Sequence, residues 1–456
     1  MKKTIKDIAN WLNIKEQMEF SEVVVTGVSI DTRTISKGDL FIPFRGETVN
    51  GHKFVEQAFE KGAAASFWLE DEPNPPKGKP LLFVKDSEIA LQQMARAYRT
   101  EHQAKFIGIT GSNGKTSSKD ILASMLSPFY KVQKTIGNFN NQLGLPITIL
   151  SLDEDTDIAV LEMGMSGFGE IEFLTKLARP HYAVITNIGE AHMQDLGSRE
   201  GIAKAKFEII QGLGEQGVLF YDGDEPLLQN LVARESKLLS KAFGFQATND
   251  LIASNIETTE NGSRFTVGGE LNGEFFIPVL GKHQVKNALN AMLVGKELGL
   301  TTEQIRQGLG QVALTDMRMQ LVPTENGVLF INDAYNAAPT SMTAAIQFVQ
   351  STSLREDKWL VLGDMLELGE EEKQFHEQIA DVIDEKEISR VCLYGPRMKL
   401  LYEKLKNKFS LDNILYSEND YDLIVHYINE YASKQSLILL KGSRGMKLET
   451  ILKSFK

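Results

Sequence analysis

The stretch Phe106-Ile-Gly-Ile-Thr-Gly-Ser-Asn-Gly-Lys-Thr-Ser-Ser-Lys-Asp120 constrains this chain most. Phe106 to Ile109 reads as a short buried strand. Thr110 to Gly114 is a tight turn with two glycines. Thr116, Ser117 and Asp120 can open a helix, and Ile121, Leu122, Met125 and Leu126 follow at helical spacing. Strand, glycine turn and helix together form a phosphate cradle. Glycine lets backbone N–H groups approach phosphate oxygens, and the helix N-terminus adds its positive end. In this reading Thr110, Gly111, Ser112, Asn113 and Gly114 wrap the phosphates of a nucleotide. Lys115 reaches the β- and γ-phosphates, and the Thr116 hydroxyl holds Mg²⁺. The general pattern places a glycine six residues before the lysine. Ile109 stands there, so this is the shorter Gly-x-x-Gly-Lys-Thr form. A glycine turn closing an ordinary strand–helix unit is the other reading, and the flanking elements favour the nucleotide.

At 456 residues the chain has room for roughly three domains of ~150 residues each. Its 42% hydrophobic and 24% charged residues suit a globular protein with ample core. A net charge of -12 argues against nonspecific nucleic-acid binding. Local basic pockets can still attract an anionic substrate. The single cysteine, Cys392, cannot form an intrachain disulfide, which fits a reducing cytoplasm. Lys6, Asp7 and Asn10 interrupt any signal-like apolar core near the start. No run of about 18 apolar residues is present, so no membrane span is expected. The chain is expected to act as a monomer.

Short strands and helices alternate over residues 1–100. Helices are expected at Ile5 to Leu12, Phe54 to Lys61 and Ile89 to Tyr98, and strands at Val23 to Val25, Asp39 to Phe44 and Leu81 to Val84. A second domain spans 101–314. Strands at Ala159–Glu162 and Ala183–Thr186 alternate with helices around Ile171–Ala178 and Ile202–Leu213, which predicts a mostly parallel sheet. A β-rich piece over 251–280 precedes a helix at Gln284–Leu298. A third domain, 315–456, shows strands at Val328–Asn332, Trp359–Leu362, Arg390–Tyr394 and Leu437–Leu440 with helices between them. The fold class is therefore α/β in three domains.

Ligands of such sheets sit at the carboxyl ends of the strands. The glycine loop, Glu162 and Thr186-Asn187 all fall at such ends. Glu162 suits a Mg²⁺ ligand beside a triphosphate, although a strand-end carboxylate can simply face water. His192 follows another strand-end loop; a lone histidine is as readily structural, and magnesium prefers oxygen. Lys204 and Lys206 share one helix about 200° apart, and spacing selects neither. Asp333 ends a strand and could bind a ribose hydroxyl or serve the turn. Arg318 could reach a phosphate across a domain junction or stay exposed. Thr340 or Ser341 would cap the next helix. In the first domain Asp31-Thr32-Arg33 suits an anionic sugar nucleotide, or a loop salt bridge.

These blocks also carry a resemblance that covers the whole chain. Thr110-Gly-Ser-Asn-Gly-Lys-Thr116 resembles the ATP loop of the Mur ligases, the amide ligases of peptidoglycan precursor synthesis. Further blocks follow in the family's order: Gly137-Asn-Phe-Asn-Asn-Gln-Leu-Gly-Leu-Pro146, Leu161-Glu-Met-Gly164, Ile185-Thr-Asn-Ile-Gly-Glu-Ala-His192 and Ile202-Ala-Lys-Ala-Lys206. Gly281-Lys-His-Gln-Val-Lys-Asn287, Asp333-Ala-Tyr-Asn336, Gly363-Asp-Met-Leu-Glu-Leu-Gly369 and Leu440-Lys-Gly-Ser443 complete the set. Within the family the chain is similar to members that join D-alanyl-D-alanine to UDP-N-acetylmuramoyl-tripeptide. The resemblance implies an N-terminal UDP-sugar domain, a central P-loop ATPase and a C-terminal Rossmann-like domain. It implies that Lys206 is carbamylated and, with Thr116, Glu162 and His192, serves the metal site. It implies that Asn287 contacts adenine, Asp333 the ribose and Arg318 a phosphate. Asp31, Thr32 and Arg33 would hold the UDP-linked substrate, with Asn140, Asn141, Tyr335 and Asn336 near the substrates. Thr32 and Ser117-Ser118 depart from the family's usual Ser and Thr-Thr but keep the hydroxyls; Asn332 and Ala338 also depart from the third-domain motif. A single-amino-acid-adding sister ligase, a folylpolyglutamate synthase and a P-loop switch are the rival readings. The diaminopimelate-adding sister carries Asp-Asn-Pro-Arg in its last domain, and this chain has no such motif.

Overall fold

The computed structural model describes residues 1–15, 18–190 and 192–455, so Ala191 within the Ile185–His192 block lies outside the described residues. The chain opens with a two-stranded ribbon, Lys3–Thr4 against Val24–Val25. Helix Ile5–Leu12 starts on a capping box, with the Thr4 hydroxyl accepting from the Asp7 N–H and the Asp7 carboxylate accepting from the Thr4 N–H. Its buried positions are Ile5, Ile8, Ala9 and Leu12, the stripe its spacing predicts. Four parallel strands then pair in chain order: Gly27–Ser29, Asp39–Phe41, Ala65–Leu69 and Leu81–Val84. The second ends before Pro43 rather than running to Phe44, because proline has no N–H to give the ladder.

The central sheet has nine strands. Their spatial order is Gly273–Ile277, Gly262–Gly269, Leu251–Thr259, Leu239–Gly244, Val218–Asp222, Tyr182–Ile185, Lys105–Thr110, Ile158–Glu162 and Val132–Lys134. The first two pairings are antiparallel and the rest parallel. Thr110 lies opposite Ile185, and Ile109 opposite Glu162. This register brings the three functional strand ends to one edge. Helices Lys115–Leu126 and Lys282–Glu297 pack together on one face, around Ile121, Leu122, Leu289 and Met292. The other face shares a continuous apolar core with the N-terminal unit, from Ile5 and Phe67 through Phe106 to Leu161.

The last sheet runs Gln320–Pro323, Leu329–Asn332, Ser436–Lys441, Asp357–Gly363, Arg390–Tyr394 and Ile414–Ser417. Only its first pairing is antiparallel. Helix Pro339–Ser351 begins one residue before Thr340, with Pro339 in its first turn. Ser341 therefore sits inside the helix, where its hydroxyl accepts from the Ala338 N–H. Among the described residues no helix is long and apolar enough to cross a membrane.

Candidate active site

The glycine loop is shaped by what it must pass. At Gly111 φ is +147°, and a Cβ there would lie 1.9 Å from the Thr186 hydroxyl. Any side chain would collide with the neighbouring strand end. Hydrogen bonds hold the loop to that strand end, among them Ser112 N–H to the Asn187 carbonyl at 3.1 Å, Asn113 N–H to Asn187 Oδ1 at 2.9 Å, and the Thr186 hydroxyl to the Asn113 carbonyl at 2.5 Å. Gly114 has φ +79° and faces the Asn287 amide. Helix Lys115–Leu126 follows directly, so its first N–H groups open at the loop. The Lys115 ammonium folds back to the Gly111 carbonyl at 2.7 Å. Burial lowers its pKa, Glu162 opposes that shift and Arg318 adds to it.

The third sheet supplies the opposite wall. Asp333 follows strand Leu329–Asn332, and Lys441 ends strand Ser436–Lys441; the two pair at 2.5 Å. Arg318 crosses between the walls. Its Nη2 donates to the Thr116 hydroxyl at 2.9 Å, and its guanidinium lies 4.2 Å above the Tyr335 ring. Its Nε is buried without a partner among the described residues. One cavity is lined by Ser112 to Ser117, Asn140, Glu162, Asn287, Arg318, Asp333, Tyr335, Asn336 and Lys441. The strand ends of two sheets thus face each other across a single cleft.

Glu162 is buried beside the loop. Its Oε1 accepts from Asn140 Nδ2 at 2.9 Å, while its Oε2 has no hydrogen-bond partner and lies 3.8 Å from the Lys119 ammonium. A buried carboxylate oxygen that makes no hydrogen bond suits a hard cation. Lys206 is 1% exposed, whereas Lys204 on the same helix faces solvent. The Lys206 amine makes no hydrogen bond or ion pair among the described residues. Burial, helped by the Lys115 charge, pushes its pKa well below the ordinary lysine value. His192 stands in the left-handed region at φ +66°. Burial lowers its pKa, and Lys206 and Lys115 lower it further. Among the described residues no group of three or more His, Cys, Asp or Glu side chains could hold a metal. The oxygen donors Glu162 and Thr116 fit magnesium, and a carbamate on Lys206 would add another.

Other residues lie apart from this cavity. Arg33 grips Asp31 through Nε at 3.0 Å and Nη2 at 2.6 Å, and its side chain is 85% exposed. That grip holds the Asp31 carboxyl at about 2, below the usual carboxylate range. The Thr32 hydroxyl donates to Gln57 at 3.1 Å. Asn141 is exposed, and its Oδ1 accepts from Leu143 and Gly144 N–H, closing the turn into helix Gly144–Leu150. Conversely, the cavity includes His283, Lys286 and Lys441, to which the sequence reading gave no role, and Thr340, which it read only as a helix cap. Lys441 was open to the strand-end rule that found Asp333, since both follow apolar runs of one sheet.

Comparison with known proteins covers the chain from end to end. Family models match at residues 24–99 (Mur ligase family, catalytic domain), 109–295 (Mur ligase middle domain) and 317–444 (Mur ligase, glutamate ligase domain). The UDP-N-acetylmuramoyl-tripeptide–D-alanyl-D-alanine ligase of Bacillus subtilis is 48% identical over 454 residues, spanning 99% of this chain and 98% of that protein. The crystal structure of MurF from Acinetobacter baumannii superposes with a TM-score of 0.87 at 28% identity, covering 100% of this chain and 99% of that one. MurF ligase from Thermotoga maritima, solved in complex with ADP, gives 0.83 at 27% identity over 94% of this chain and 97% of that one. With a whole-length relative at this identity and all three domains matched, the chain belongs to the Mur ligase family, in its UDP-N-acetylmuramoyl-tripeptide–D-alanyl-D-alanine ligase (MurF) branch.

Proposed function

We propose that this chain joins D-alanyl-D-alanine to UDP-N-acetylmuramoyl-tripeptide at the expense of ATP, giving the pentapeptide precursor of peptidoglycan, ADP and phosphate. The observation that carries this reading is the cleft itself. A P-loop on one sheet faces Asp333 and Lys441 on another, and Arg318 spans the gap. The 48% identity along the whole chain supports the choice of substrates. The division at residues 1–100, 101–314 and 315–456, a monomeric state and a cytoplasmic location belong to the same reading.

A carboxylate is a poor acylating group, so its oxygen first attacks the γ-phosphorus of ATP, and ADP leaves with the bridging oxygen. The amine of D-alanyl-D-alanine then attacks the carbonyl of the acyl phosphate. The tetrahedral intermediate collapses, the amide forms, and phosphate departs. Little covalent work falls to the protein, so its residues act by positioning and charge. Loop N–H groups from Thr110 to Thr116 hold the phosphates. Lys115 follows the charge that builds on the transferring group, and Arg318 meets it from the other wall. Asn287 borders the loop where adenine would rest, and Asp333 is placed for the ribose. Tyr335 and Asn336 continue that wall, and Asn140 and Asn141 approach the acceptor side. Asp31, Thr32 and Arg33 grip the UDP-linked end. Thr116, Glu162, His192 and a carbamate on Lys206 would hold magnesium, which would neutralise charge on the triphosphate. Apposition of the two walls keeps water from the acyl phosphate.

Phosphate release tests the reading, with ATP, Mg²⁺ and UDP-N-acetylmuramoyl-tripeptide present. D-Alanyl-D-alanine is expected to give release and a UDP-linked pentapeptide, while single amino acids and glutamate give neither. Turnover with a single amino acid would move the chain to a sister ligase. Tight ATP binding without turnover on any acceptor would favour a switch. The carbamate has its own readout. Burial lowers the Lys206 pKa and so favours the neutral amine, the form that captures CO₂. Protein equilibrated with ¹³C-bicarbonate is expected to show one carbamate resonance that Lys206→Ala removes. A resonance that survives this substitution would place the carbamate elsewhere.

A further inference from the structure

The segment joining the last two sheets lies along the helix that carries the glycine loop. Three contacts tie it down, at Ser124, Asp120 and Thr116. These residues are spaced i, i+4, i+8 and form one stripe of helix Lys115–Leu126. The Ser124 hydroxyl reaches the Ala313 carbonyl at 3.5 Å. Asp120 Oδ2 accepts from the Thr315 N–H at 3.0 Å and from the Thr315 hydroxyl at 2.7 Å. The Thr116 hydroxyl accepts from Arg318 at 2.9 Å. The segment therefore runs antiparallel to the helix and ends on the residue that meets the phosphate loop.

Asp120 is the firm point of this seam. Its side chain is wholly buried, and its other oxygen, Oδ1, pairs with Lys134 at 2.6 Å and faces Lys119 at 3.8 Å. Both oxygens are thus committed, one to cations of the central unit and one to Thr315. Hydrogen bonds to an ionised group are the stronger kind. Only Asp316 and Met317 separate Thr315 from Arg318, too few for the guanidinium to keep its aim if Thr315 drifts.

We propose that Asp120 is a positioning residue, which anchors Thr315 on the P-loop helix and so delivers Arg318 to the phosphates of ATP. This rests on the reading of Arg318 as a phosphate contact. The same anchor makes the Thr315 end of the segment the fixed end of any motion between the two walls.

The test uses Thr315→Val, Thr315→Ser and Asp120→Asn in the full chain, each alone and with Arg318→Ala. Affinity for a non-hydrolysable ATP analogue is read by titration and kcat by turnover. Thr315→Val removes one bond to a charged acceptor, so roughly a 10-fold loss in analogue affinity or kcat is expected. Thr315→Ser keeps the hydroxyl and is expected to match the wild type. In the Arg318→Ala background Thr315→Val is expected to add less than about twofold, because the residue it aims is gone. Asp120→Asn must set its NH₂ against either Lys134 or the Thr315 donors, and follows the same pattern. An unchanged Thr315→Val, or a loss that persists in full without Arg318, overturns the proposal. Thr315→Val tests the seam even if Asp120→Asn fails to fold. Analogue binding needs no acceptor, so a failure of the substrate reading shows separately, as a wild type that binds nucleotide but does not turn over.

Discussion

Lys206→Met is expected to slow ligation sharply and stabilise the protein at once. The Lys206 amine is buried, and among the described residues nothing pairs with it. Burying an unbonded polar group costs about 1–3 kcal/mol, and methionine fills similar space without it. Melting in metal-free buffer purged of CO₂ is expected to move upward, by roughly 2–4 °C per kcal/mol for a domain of this size. Turnover is expected to fall by roughly 10²–10³, the scale for losing a preorganised electrostatic group. The pH profile gives an independent check. Because the native amine has a lowered pKa, the unfolded chain binds more protons between that value and the ordinary lysine range. Stability then rises with pH through this window and is lost as pH falls through the lowered value. Lys206→Met is expected to flatten that slope. A variant that loses turnover and also melts lower would make Lys206 a packing residue.

Lys206 also shows where sequence reading stops. Two lysines on one helix differ by about 200° in direction, and nothing local says which one points inward. The answer comes from tertiary packing. Ser198 caps helix Arg199–Phe207, and the helix turns Ala203, Lys206 and Phe207 inward and Lys204 outward. Glu162 and Asp333 were readable because both close apolar runs, and parallel sheets put ligands at such ends. The same rule reached Thr186 and Asn187, but not their role as the clamp on the glycine loop, which depends on strand pairing between residues far apart in sequence. Strand Ala65–Leu69 was not among the expected elements, because four apolar residues around Ser66 do not by themselves separate strand from helix. The helix carrying Thr116 and Asp120 was read from its spacing, but the segment that lies along it, Ala313–Arg318, has no periodicity to announce it. Arg318 gains its place only through that long-range contact.

Glu162→Gln is expected to separate nucleotide binding from magnesium use. Glutamine keeps the size of the side chain and its bond to Asn140 but removes the charge from Oε2, the oxygen that makes no hydrogen bond. The loop N–H groups and Lys115 remain, and the lost carboxylate charge is one that repels phosphate across the shared cavity, so affinity for metal-free ADP is expected to hold or rise. The magnesium concentration for half-maximal turnover is expected to rise, and turnover at saturating ATP to fall by roughly 10²–10³. Stability should also drop. Lys119 lies 3.8 Å from both Glu162 and Asp120, with its side chain only 2% exposed, so the substitution leaves this buried cation one carboxylate fewer. Loss of that charge lets the Lys115 pKa fall further, because Glu162 is the group that opposes its burial. Magnesium titrations of ADP binding and of turnover, run side by side, decide the matter. A rate loss with an unchanged magnesium requirement would make Glu162 a structural counter-ion for Lys119 and return the metal role to the remaining residues.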